Sequence, residues 1–241
     1  VAPDACSCFG GYKGQDCNEV ATGFLYSLGD GSSGQMGDGF QFSYFVPSPV
    51  GGALLGKIIS AVSTGSQFTV VVMNYTVYAF GTNSNYELGD NTLVAKLWPT
   101  LVKGIYANTS IVSVKCGQSN TIALDTLGRA WVWGHNIYGQ LGLGTTSSVA
   151  TATLLVNLLG KITISTGCGG MYCLALINSG VVYSMGFNTL GQLGDGTNTN
   201  RNTPTVVGTS ILSNIMIVAI SAGDTHALAL APGGIIYGWG S

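Results

Sequence analysis

The side chains able to do chemistry are few, and their spacing argues against a catalytic centre. The 241 residues hold two histidines, His135 and His226, and six cysteines. Acid–base or nucleophilic catalysis needs a nucleophile, a base and an orienting group held together. No Ser-His-acid or Cys-His set falls at matching positions, and no phosphate-binding or dinucleotide glycine motif is present. His226 follows a small-residue–Gly turn whose other copies carry Phe68, Asn120 and Tyr172, the variation of a turn filler. His135 lies after Gly134, where other copies hold Asp30, Thr82 and Phe187, and reads as a solvent-exposed turn residue. Asp38, Asp90 and Asp195 each follow a Leu/Met-Gly pair, and Asp195-Gly-Thr-Asn invites a calcium reading. One carboxylate per copy is a poor oxygen cage, however, and Asp in a glycine turn is the commoner case. The chain reads as a non-enzyme, with no cofactor and no metal.

Three cysteines crowd the N-terminus, in Cys6-Ser-Cys8-Phe-Gly-Gly-Tyr-Lys-Gly-Gln-Asp-Cys17. A zinc site would need a nearby His or fourth Cys, and neither is there. Residues 1–19 resemble the C-terminal half of an EGF-like module. That resemblance implies a Cys8–Cys17 disulfide, an upstream partner for Cys6, a precursor beginning before Val1, and an oxidising, extracellular compartment. No basic-then-apolar leader is present, as expected once a signal peptide is removed. Further on, Cys116 and Cys168 share one repeat position. A disulfide between them, a hairpin bridge from Cys168 to Cys173, or three small buried residues are all open readings, since equivalent positions hold Thr64, Ala222, Thr69 and Ala227. Asn74-Tyr-Thr76 and Asn108-Thr-Ser110 are glycosylation sequons in predicted turns.

Composition sets the class of element that must carry these residues. Charged residues are 7% of the chain against a usual quarter or so, and the net charge is −2. Without a basic run, nucleic acid and anionic membranes are excluded as partners. No apolar stretch approaches the roughly 20 residues of a membrane span. Runs such as Phe68–Met73 and Ile215–Ile220 have the length of strands, and 37 glycines supply the turns.

A repeat governs everything after residue 20. An aromatic-x-x-Gly element recurs at Tyr26–Gly29, Tyr78–Gly81, Trp131–Gly134, Tyr183–Gly186 and Tyr237–Gly240. Eight residues past each of the first four stands Gly37, Gly89, Gly142 or Gly194, preceded by Met or Leu. A second anchor, small residue then Gly, falls at Gly65, Gly117, Gly169 and Gly223. One period predicts strands at Ile111–Lys115, Thr121–Leu124, Ala130–Trp133 and Thr153–Val156, a four-stranded antiparallel sheet. No such sheet buries both faces alone, so neighbours must stack. Gln35, Gln140, Gln192 and Glu87 then sit where they could satisfy backbone groups between sheets.

The stretch Tyr183-Ser-Met-Gly-Phe-Asn188-Thr-Leu-Gly-Gln-Leu-Gly-Asp-Gly-Thr, Pro204, and Ser-Ala-Gly-Asp-Thr-His226-Ala-Leu-Ala-Leu resemble the RCC1-type repeat over about residues 23–241. The resemblance implies an all-β propeller of four-stranded antiparallel blades over 20–241, incomplete at both ends. Its best-known member is an exchange factor for a small GTPase on chromatin, while secreted relatives bind other proteins through a propeller face, for example as β-lactamase inhibitors. A seven-bladed ring needs about 360 residues at this period. The chain starts at the third strand of one blade and stops after the third strand of another. The ends complete one another in a closed ring, or leave open strand edges that recruit other chains. The edge residues are Phe24, Leu25 and Tyr26 at one end and Ile235, Ile236, Tyr237 and Trp239 at the other. Two functions are expected. The first is an extracellular structural protein of a filament, flagellar hair, coat or matrix, self-assembled or joined to adjoining domains of a longer chain. The second is a secreted module presenting loops to a protein ligand, with Tyr86, Tyr138, Tyr172 and Trp98 as candidates, Tyr172 foremost.

Overall fold

The computed structural model describes residues 12–13, 19–20, 25–208, 212 and 214–241, so Cys6, Cys8, Cys17 and Phe24 lie outside the described residues. Near the N-terminus β1 (Tyr12–Lys13) pairs antiparallel with β2 (Glu19–Val20). Every later strand belongs to an antiparallel blade. A half-blade is formed by β3 (Tyr26–Gly29) and β4 (Tyr44–Pro49). Blade 1 contains β5 (Ile59–Thr64), β6 (Phe68–Met73), β7 (Thr76–Gly81) and β8 (Lys96–Leu101). Blade 2 contains β9 (Ile111–Cys116), β10 (Asn120–Asp125), β11 (Ala130–Gly134) and β12 (Val149–Leu154). Blade 3 contains β13 (Thr163–Cys168), β14 (Tyr172–Ile177), β15 (Val182–Gly186) and β16 (Arg201–Val206). The last sheet has three strands, β17 (Ala219–Ala222), β18 (His226–Leu230) and β19 (Ile236–Gly240).

This is the expected all-β architecture, with two local corrections. The fourth strand of blade 2 starts at Val149, not Thr153, because its pairing with β11 reaches Gly134 across a bulge. Of the run Ile215–Ile220, only Ala219 and Ile220 are in a strand, and Ile235 precedes β19.

No sheet carries a core of its own. The apolar clusters lie between consecutive sheets: Phe68, Val70, Val72 and Val77 of blade 1 pack on Ile111, Val114, Trp131 and Trp133 of blade 2. The same arrangement recurs between blades 2 and 3 and between blade 3 and the last sheet. Every residue of β6, β10 and β14 is therefore buried, which explains the consecutive apolar residues at 70–73, 122–124 and 174–177. At the ends β3 pairs with β4 and β19 with β18, and the two terminal sheets remain separate. The blades form an open arc, not a ring closed by its own ends.

The repeated glycines follow from this stacking. A Cβ on Gly169 would lie 2.1 Å from the Gly223 carbonyl oxygen of the next sheet, and one on Gly117 would lie 2.6 Å from that of Gly169. At the Met/Leu-Gly position Gly37, Gly89, Gly142 and Gly194 take positive φ and seat Phe80, Trp133, Met185 and Trp239 of the following blade. Gly169→Ala is accordingly expected to cost about 3 kcal/mol in urea denaturation, since backbone must shift to make room. Gly191→Ala, where φ is positive but nothing lies within 4 Å, should cost only about 1 kcal/mol. Equal losses would mean that the blade contact yields freely.

Candidate functional site

In an antiparallel blade the turn from first to second strand and the loop from third to fourth emerge at the same end. The short turns after Gly65, Gly117, Gly169 and Gly223 therefore cluster near the arc's axis, and the long glycine-rich loops surround them. A backbone staircase links the short turns. The Ser66 amide donates to Gln118 O (3.1 Å), the Gln118 amide to Gly170 O (3.0 Å), and the Gly170 amide to Asp224 O (3.1 Å). Below it lies an open depression of about 370 Å³ lined by Thr64, Ser66, Cys116, Gln118, Cys168 and Asp224 among others. The loops around it expose apolar side chains: Phe40 54%, Phe42 65%, Val94 62%, Ile137 52% and Leu190 48%. Phe40 and Phe42 stack at 5.9 Å.

The loops of blades 1 to 3 are each organised by one buried asparagine. Asn188 Nδ2 donates to Asp195 Oδ1 (3.1 Å), Thr197 O (2.9 Å) and Thr199 O (3.0 Å), while its Oδ1 accepts from the Leu193 amide (2.9 Å). Asn83 and Asn136 make the corresponding bonds, with Leu88 and Leu141 as donors. Reasoning from sequence passed over these hubs, although Asn stands five residues before the Leu-Gly pair in three copies.

The glutamines do something different from what was expected. Gln140 Oε1 accepts from the Tyr138 amide, Gln192 from Leu190, Gln35 from Ser33, and Glu87 from Asn85, all within their own loops. The bonds between blades use the carbonyl oxygens of three of these residues, Glu87, Gln192 and Gln35, instead. The indole of Trp133 donates to Glu87 O and that of Trp239 to Gln192 O, each at 2.9 Å, and Thr69 donates to Gln35 O at 3.1 Å. A side chain pointing back into its own turn cannot also reach the neighbour, whereas the carbonyl faces outward.

The recurring aspartates also serve their loops. Asp195 accepts from the Thr197 amide and hydroxyl and from Arg201 Nε at 2.7 Å. Asp90 does the same with Thr92, and with Lys96 at 3.4 Å. Asp38 accepts from the Phe40 amide and the Tyr44 hydroxyl. Among the described residues no three His, Cys, Asp or Glu side chains gather as a metal site. Burial pushes the Asp195 carboxyl up, but its bonds to Thr197, Arg201 and Asn188 outweigh this and hold it below the usual range.

The other candidates are placed as follows. His135 is half-buried, not solvent-exposed, with Nδ1 3.2 Å from Gln140 Nε2, and burial depresses its pKa. His226 is exposed. Tyr172 is not a presented loop residue. It is fully buried between blades, its hydroxyl donating to Gly223 O (3.1 Å) and His226 O. Tyr138 packs on Phe187 of the next blade at 4.8 Å, and half-exposed Trp98 covers Gly39 and Gly51 of the half-blade. Tyr86 is half-buried with φ of 64°. Asn74 and Asn108 are both exposed at positive φ, Asn74 in the tight β6–β7 turn. The structure pairs Cys168 with Cys173, their Cα atoms 4.1 Å apart as direct cross-strand partners, so the Cys116–Cys168 bridge is not formed. Cys116 is a free thiol, pushed up to about 11 by burial.

Because the Asp195 pKa is depressed on folding, its contribution to stability is present above the unfolded carboxylate value, about 3.9, and is lost as pH falls through the folded value. Asp195→Asn should cost about 2 kcal/mol at neutral pH and flatten the acid limb of the stability curve. An unchanged acid limb in urea titrations across pH would contradict this.

Comparison with known proteins gives one consistent result. The profile of the Regulator of chromosome condensation (RCC1) repeat matches residues 22–72, 76–124, 128–176 and 179–230. The E3 ubiquitin-protein ligase HERC2 of Mus musculus is 30% identical over 228 residues, covering 92% of this chain and 5% of that protein. The Ultraviolet-B receptor UVR8 of Arabidopsis thaliana is 31% identical over 217 residues, covering 90% of this chain and 48% of that one. Among solved structures, Prp20p of Saccharomyces cerevisiae superposes with a TM-score of 0.75 at 17% identity, over 86% of this chain and 51% of its own. The chain thus spans about half of UVR8 and Prp20p, and a small part of HERC2. Four matched copies of the repeat, on the blades described above, make this chain a member of the RCC1-repeat family.

Proposed function

We propose that this chain is a non-enzymatic, protein-binding propeller segment that takes up its partner by blade complementation. The observation that carries this is the uncovered face of the last sheet. In blades 1 to 3 the back-face positions are fully buried against the next blade: Val70, Ile122 and Leu174 at 0%, and Val77, Ala130 and Val182 at 3% or less. The same positions in the last sheet are Leu228 and Ile236, at 42% and 65% exposed, beside exposed His226. A surface whose three internal copies are each closed by a blade is suited to receive a further blade. The half-blade exposes the opposite kind of face, with Leu28 60% exposed where Phe80, Trp133 and Met185 are buried.

The partner we assign is another copy of the chain or adjoining blades of a longer one, in an extracellular structural assembly. Supporting this are the 7% charge, which puts little repulsion between packed copies, and two exposed sequons. Protein binding is in keeping with the family, since the Prp20p structure is described with its binding properties to Gsp1p and histones. A second reading, a ligand bound at the loop face, rests on the exposed Phe40, Phe42, Val94, Ile137 and Leu190.

Sedimentation velocity across a hundredfold dilution should show species larger than one chain. Leu228→Lys with Ile236→Lys should reduce them to a single compact monomer of unchanged circular dichroism. A wild-type monomer at all concentrations, or variants that assemble like wild type, would reject complementation and leave the loop-face reading. Glycosidase treatment of natively produced material should lower its mass through Asn74 or Asn108. An unchanged mass would count against extracellular placement.

A further inference from the structure

We infer that the Cys168–Cys173 disulfide is a thiol-exchange site, opened by a small thiol that enters the axial depression and attacks Cys168 while Asn120 holds the departing sulfur of Cys173. This stands apart from the blade surfaces considered above.

The two sulfurs differ in access. Cys168 ends β13, is half-buried and lines the 370 Å³ depression. Cys173 lies inside β14 and is 1% exposed. An attacking thiolate must approach along the axis of the sulfur–sulfur bond, and only Cys168 has an open approach. Cys168 also lines a smaller depression of about 130 Å³ with Cys116 and exposed Lys115, a cation beside the path of an anionic thiol such as glutathione.

Behind the disulfide stands Asn120, fully buried on blade 2. Its Nδ2 lies 3.0 Å from Cys173 Sγ and 3.6 Å from Cys168 Sγ, and its Oδ1 has no hydrogen-bond partner. The fold does not require an amide here, since the equivalent residues are Phe68, Tyr172 and His226. Asn occurs at this position only in the blade that faces the cysteine pair. A neutral disulfide sulfur is a weak acceptor, so the arrangement leaves a buried carbonyl unsatisfied for a poor bond. The same N–H becomes a strong, charge-assisted donor once negative charge develops on Cys173.

The exchange balances without further groups. The thiolate sulfur forms a new S–S bond to Cys168 Sγ, the Cys168–Cys173 bond breaks, and its electron pair leaves as the Cys173 thiolate. A second thiol then attacks the mixed disulfide at the external sulfur, releasing the small-molecule disulfide and the Cys168 thiolate. Two thiols are oxidised and one protein disulfide is reduced, the protein thiolates taking protons from water. Rotation of the Asn120 amide then lets Oδ1 accept the Cys173 S–H, giving that oxygen the partner it lacks in the oxidised form. Cys116 takes no part: its thiol is a neutral donor to Ser63 O at 3.6 Å.

The test is native-state exchange in glutathione buffers, quenched by alkylation and mapped by mass spectrometry. The folded protein should be reduced without denaturant, and Cys173→Ser should accumulate a glutathione adduct on Cys168. Asn120→Leu and Asn120→Phe, the latter matching residue 68, should slow reduction on the order of ten-fold or more. A purely structural role would instead loosen the blades and speed it. Reduction only on unfolding, no adduct on Cys168, or reduction in both variants as fast as in the parent would overturn the assignment.

Discussion

Burial of each sheet's back face by the next sheet is the contact on which this molecule depends. Each blade is too thin to hold a core, so its apolar side chains are buried only when a neighbour arrives. Stability is therefore a sum over blade junctions. Leu228 and Ile236 are exposed where their counterparts Val70, Ile122 and Leu174, and Val77, Ala130 and Val182, are buried by the next blade.

The close approach of blades explains the chain's unusual composition. Glycines at two repeated positions let carbonyl oxygens and aromatic rings of the next blade lie against bare Cα atoms. Polar satisfaction is then achieved locally, in blades 1 to 3 around one buried asparagine per loop. Asn83, Asn136 and Asn188 each close a loop of more than ten residues by donating to its backbone carbonyls. The few charges present, such as Asp195 with Arg201, reinforce loops already shaped by neutral hydrogen bonds.

A repeat protein also makes its exceptions visible. Phe68 and Tyr172 fill the space between inner turns with ring area, whereas Asn120 brings a buried amide to a disulfide. The departure is local to one junction and coincides with the only cysteine pair among the described residues. A position that the fold fills with several residue types is free to take on a chemical task.

The sequence alone determined the repeat period and the four-stranded antiparallel blade. These are local or periodic properties: alternation sets strands, and spaced glycines set turns. It did not determine which way a side chain turned at a junction. Gln140 and Gln192 bend into their own loops while the Gln192 carbonyl reaches across, and Tyr172 is buried rather than displayed. Nor could it choose among the partners of Cys168, because a hairpin neighbour and a next-blade neighbour are equally compatible with the spacing. The register of β13 against β14 made that choice, placing Cys168 directly opposite Cys173, while the stacking of blade 2 on blade 3 brought Asn120 to both sulfurs. Those distances depend on how separate sheets meet, and only the tertiary structure decides that.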